Sequence, residues 1–133
     1  MSQLQELHQQ AMDLAERVQV AKLRGNLTLA QQLSRQALEK EQLAAEFLAN
    51  DLAAEPTRSV LYRSAASLAI DCGEIKTAER LIAIALSGNP PQEIAEELRD
   101  LFVEINIQNY FARRGIAFDE AKFQNLMAQQ PLS

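Results

Sequence analysis

One histidine, one cysteine and a row of carboxylates are the residues of this chain whose chemistry has to be weighed first. His8 is the sole histidine, so a multi-histidine metal site cannot be assembled within one chain. It sits among Glu6, Gln9 and Gln10 and reads as a solvated surface side chain. Cys72 falls in helical register with Leu61, Ala65 and Leu68, the place of a small buried thiol rather than of a nucleophile, since no base accompanies it. Glu93, Glu97, Asp100 and Glu104 share one helical face. Carboxylates do acid–base or metal work where burial or neighbours tune them, and a solvent-facing helix supplies neither. A solvated face beside the stripe Ile94, Leu98, Leu101 and Ile105 is the favoured reading, and a docking face for a basic partner is the alternative. There is no glycine-rich phosphate loop, nucleophile elbow or metal-binding helix signature. The expectation is a protein that is not an enzyme, with no catalytic residue, no metal and no cofactor.

The segment Thr57 to Ser64 is the most suggestive surface, because it carries Arg58 and Arg63. A guanidinium is a planar fork that matches a carboxylate, such as that of a peptide tail. The competing reading pairs Arg58 and Arg63 with acids of the chain itself, such as Glu55 or Asp71.

Helices must position these groups. Ala, Leu, Gln and Glu dominate, β-branched residues are scattered, and the four glycines and four prolines punctuate the chain at element boundaries. Ser2 and Gln5 are spaced as a capping box ahead of the stripe Leu4, Leu7, Ala11, Leu14, Val18 and Ala21, which predicts a helix from about Gln3 to Arg24, stopped by Gly25. From Leu27 a second helix runs toward Pro56. Its apolar stripe loses phase within Glu39–Gln42, so a bend there is the alternative to one long helix. Further helices are expected from Pro56 to about Cys72, from Ile75 to Ser87 with Gly88 as a stop, and from beyond Pro91 to Arg113. A short last helix starts at Asp119, with Phe118 and Phe123 spaced as a hydrophobic staple, and the chain frays from Gln129.

At 133 residues, 47% apolar and 23% charged, the chain is long enough for one domain with a core of its own. A net charge of −5 disfavours nucleic acid and an anionic membrane surface, which both select for basic patches. One cysteine allows no intramolecular disulfide, and no signal-peptide pattern opens the chain, so a cytoplasmic setting is expected.

Residues 55–90 resemble a tetratricopeptide repeat. Tyr62 and Ala66 match the large and small positions of its first helix, Gly73 the turn, Ala78, Ile82 and Ala85 the second helix, and Pro90 the closing proline. Residues 1–54 resemble a degenerate copy around Gly25, with Ala30 and Ala37 at matching offsets but Arg17, Ser34 and Gln42 departing from the pattern. The run from Glu55 to Leu101 is also similar to uncharacterised bacterial tetratricopeptide-like proteins, which carries no activity with it. The resemblance implies an all-α stack of helical hairpins, a compact right-handed superhelix or bundle of five to six helices. Residues 1–133 would form a single domain, with residues 91–128 as capping helices. It further implies a protein-interaction module, an adaptor or scaffold, that binds a peptide or partner helix on its first-helix groove. Arg63, Ser67, Ile70 and Asp71 would face that groove, with Lys22 and Arg58 beside them. A homodimer through Leu7, Leu14 and Val18 of the first helix is the alternative, and a small-molecule sensor a more distant one.

Overall fold

Ser2 opens the first helix as its spacing from Gln5 predicts: its hydroxyl accepts from Gln5 N at 3.2 Å, and the Gln5 side chain accepts from Ser2 N at 3.1 Å. In a computed structural model that describes residues 2–115 and 119–128, apart from the side chains of residues 108 and 120, six helices follow in order. They are α1 (Gln3–Leu23), α2 (Leu27–Glu46), α3 (Thr57–Asp71), α4 (Ile75–Leu86), α5 (Gln92–Arg113) and α6 (Glu120–Ala128). The fold is all-α, with no strand among the described residues. Expected and observed boundaries agree within a residue wherever a local cap or glycine sets them.

The turns after α1 and α3 have the same construction. Gly25 and Gly73 take φ of 75° and 82°, conformations in which a Cβ would strain the backbone. At the first turn Gly25 N donates to Lys22 O and Asn26 N to Ala21 O; at the second Gly73 N donates to Ile70 O and Glu74 N to Ala69 O. Both are Schellman closures, which satisfy the last carbonyls of one helix while reversing the chain into the next. Asn26 then caps α2 by accepting from Leu29 N at 3.1 Å. The chain thus contains two helical hairpins, α1–α2 and α3–α4, and α2 packs on α3 to join them.

Alanines allow that joining. Ala37, Ala44 and Ala45 of α2 and Ala65, Ala66 and Ala69 of α3 are buried, and small side chains let helix axes approach closely. Val18, Ala21, Ala30 and Leu33 form a separate apolar cluster between α1 and α2, with Leu14 packed against it. The second half of the first-helix stripe is therefore used within the chain.

α2 differs from the expectation of a helix reaching toward Pro56. It passes unbroken through Glu39–Gln42 and stops at Glu46. Residues 47–54 continue in tight turns closed by bonds such as Leu48 N to Ala45 O and Asp51 N to Leu48 O. The stop comes from outside the segment. Arg58, only 2% exposed, donates from Nε and Nη2 to the carbonyls of Leu48 and Ala49 at 3.1–3.3 Å. Its Nη1 and Nη2 also reach Ile84 O in the last turn of α4, both at 3.3 Å. The guanidinium lies 5.2 Å from the Tyr62 ring centroid as well. One buried cation therefore neutralises the negative ends of two helices. The expected pairing with Glu55 is not made; Glu55 instead accepts from Ser59 Oγ at 2.5 Å. Gly88 follows the end of α4 as expected, and it has a second role. Its φ is not left-handed, and a Cβ there would collide with the Arg58 guanidinium.

The described residues up to 102 form one compact unit and those from 103 a second, with the boundary inside α5. In the second unit Tyr110 and Phe111 meet edge to face at 5.8 Å, and the Arg114 guanidinium lies 4.2 Å from the Tyr110 ring centroid. Asp119 caps α6, accepting from Lys122 N at 3.0 Å. Phe118 of the expected staple, and the residues from Gln129 onward, lie outside the described residues.

Hydrogen bonds to a charged group contribute about 1.5–3 kcal/mol each, so Arg58→Leu should cost about 3 kcal/mol or more of unfolding free energy in urea melts. Arg58→Lys should recover only part of it, because an ammonium lacks the fork. Burial pushes the Tyr62 phenol above its ordinary value near 10, against the Arg58 guanidinium; Glu46 adds to the rise and Arg80 opposes it. The unfolded state then loses its phenolic proton at lower pH than the folded state, so Tyr62 stabilises the fold fully below pH ~10 and less as pH rises beyond it. Tyr62→Phe should flatten that alkaline limb in stability measured against pH.

Candidate functional site

α1 and α3 run side by side in the same direction. The Lys22 ammonium near the end of α1 lies 3.9 Å from the carboxylate of Asp71 at the end of α3. At their other ends an open groove of about 520 Å³ lies between Leu4, Gln5 and His8 of α1 and Thr57, Val60 and Leu61 of α3. Its lining includes no Asp, Glu, Lys or Arg side chain.

His8 departs from the expectation of a solvated side chain. Its side chain is 38% exposed, and Nδ1 lies 2.8 and 3.0 Å from the two carboxylate oxygens of Glu41. Glu41 itself is fully buried. A buried carboxylate must be paired or neutralised, and His8 is its one partner among the described residues. The contact orients the ring and leaves Nε2 on the side away from Glu41. A side chain that lines the groove is thereby held in one orientation by a group beneath it.

Glu41 explains the phase loss seen in the α2 sequence. The buried positions Ala30, Leu33, Ala37, Glu41 and Ala44 are three or four residues apart, so Glu41 occupies a core register position. The stripe never changes face. A carboxylate standing in an apolar register was the available signal for a buried polar pair, but its partner lies on another helix.

The six residues expected at a partner-binding surface are distributed over different places. Arg58 is interior and committed to backbone carbonyls, so the structure removes it from that surface. Arg63 Nη1 donates to Glu97 Oε2 of α5 at 2.6 Å, so its acid partner is neither Glu55 nor Asp71. With Ser67 it lines a shallow depression that Glu97, Asp100 and Leu101 complete. Glu97 is accordingly not a purely solvated member of its carboxylate face. Lys22 and Asp71 are exposed and face each other, while Ile70 is half-buried. Cys72 is a buried free thiol whose Sγ donates to Ala69 O at 3.5 Å. No cluster of three or more metal-ligating side chains occurs among the described residues.

No family model, curated protein or solved structure matches the chain. No helix among the described residues is long and apolar enough to cross a membrane.

A double-mutant cycle measures the pair beneath the groove. His8→Ala leaves the Glu41 carboxylate without its partner and should destabilise the fold by about 1–3 kcal/mol. Adding Glu41→Leu removes the orphaned group and should restore much of that loss, so the cycle should return a coupling energy well above zero in urea unfolding.

Proposed function

We propose that the chain is a non-enzymatic protein-interaction module, a tetratricopeptide-like stack that binds a peptide or partner helix along the face formed by α1 and α3. The observation that carries this reading is the open groove between the two parallel helices, with His8 held on its wall by Glu41. Grooves of this kind accept an extended or helical segment by burying alternate or helically spaced side chains, with a few polar groups to set register. The matched Schellman turns of the two hairpins support the repeat-like assignment, because they give each hairpin the same reversal and the same direction of its first helix. On this reading Arg63 and Ser67 extend the binding face toward α5, and Lys22 and Asp71 close its far end. A cytoplasmic setting belongs to the same proposal, supported by the single free thiol.

Self-association through Leu7, Leu14 and Val18 has less support, since Val18 is buried in the cluster between α1 and α2.

The test is affinity capture from the native cell with wild-type protein, Val60→Glu in the groove and the Arg63→Glu/Ser67→Glu pair, each first shown to be folded by circular dichroism. A bona fide partner should be retained by wild type and lost on Val60→Glu, with a smaller loss for the second variant. Retention of every stoichiometric partner by both variants would overturn the assignment of this face.

A further inference from the structure

A second surface lies at the opposite end of the first hairpin, outside the α1/α3 groove. Arg17 and Arg24 of the α1 end, with Val20 and Leu29, surround a depression of about 470 Å³ floored by Ala21 and Leu33. The turn beside it projects Leu23 and Leu27, which are 89% and 70% exposed. Apolar side chains gathered around one concave site mark an interaction surface more strongly than the same residues scattered singly.

The charge at this surface runs against that of the chain. The protein carries a net −5, yet Arg17 and Arg24 have no ion pair among the described residues, and no acid lines the depression. The other cations of this region are engaged: Lys22 faces Asp71 at 3.9 Å, and Arg35 faces Glu74 at 3.5 Å. Asp13, the acid one turn before Arg17, accepts a hydrogen bond from Gln9. Two uncompensated guanidinium forks on the rim of an apolar depression are complementary to carboxylates that flank a bulky apolar side chain.

We propose that this surface is a second docking site, for an acidic amphipathic helix of a partner protein. The partner's leucine or phenylalanine side chains would fill the depression over Ala21 and Leu33, and its Asp or Glu side chains would meet Arg17 and Arg24. A depression between two helices accepts a third helix, whose anchors recur at the spacing that the α1 and α2 faces present. The site shares no residue with the α1/α3 groove, so each can fail without the other.

The experiment is selection of a displayed random-peptide library on the wild-type protein, followed by fluorescence anisotropy of the selected peptides on Arg17→Glu/Arg24→Glu, Arg17→Gln/Arg24→Gln and Val60→Glu. Both arginines are exposed, and each variant is first to be shown folded by circular dichroism. The expected result is enrichment of peptides combining Asp or Glu with Leu or Phe at helical spacing. Their binding should fall about ten-fold or more on charge reversal, fall less on neutralisation, weaken with salt and be unchanged by Val60→Glu. Selected peptides without acidic residues, or binding indifferent to the arginine substitutions, would overturn the proposal. So would co-sedimentation with phosphatidylserine vesicles that depends on both arginines while no peptide is selected, or concentration-dependent self-association abolished by the same substitutions. Those two outcomes assign the surface to a membrane and to a second copy of the chain, respectively.

Discussion

The Arg58 guanidinium holds three helices in register, and much of the first unit follows from it. Its donors are spent on the carbonyls of Leu48 and Ala49 after α2 and of Ile84 in α4, while its own backbone belongs to α3. A carbonyl near a helix end has no intrahelical donor, and burying it unpaired is costly. A planar cation with five donors can serve several such carbonyls at once, which an aliphatic side chain or an ammonium cannot. The end of α2, the glycine at position 88 and the buried ring of Tyr62 are all accommodations to this one side chain.

Around that node the packing uses small residues on the faces where helices cross, and the buried Glu41 carboxylate is partnered, whereas Ser34 Oγ and Glu55 Oε1 are buried without a hydrogen-bond partner. Alanines bring α2 and α3 together, and the one carboxylate in the α2 core register is matched by His8 across the α1–α2 contact. The effect is to tie the orientation of a groove-lining imidazole to the interior. The groove wall and the core are thus coupled through a single pair, an arrangement that fixes a groove-lining side chain at little cost in loop structure.

The helical fold was largely legible in the residues themselves. Capping boxes, glycines with φ above zero and prolines at element starts are local signals, and they place helix ends without knowledge of the rest of the chain. The site was legible only in part. Arg63 and Ser67 do line a surface depression, and Lys22 faces Asp71, but Arg58 is buried rather than part of the expected surface. In sequence an arginine near a helix start looks the same whether its fork meets solvent or carbonyl oxygens. The pairing of His8, expected to be a solvated side chain, is hidden for the matching reason: its partner stands 33 positions away in the chain.

What the sequence determined by itself is therefore the set of helices, their turns and the apolar faces they must hide, because each depends on interactions within a turn or two of the chain. The tertiary structure alone decided where α2 stops, which charged groups are interior and which grooves stay open. Those outcomes depend on groups that meet across helices, where the desolvation of a guanidinium or a carboxylate is offset by a partner that no local pattern names.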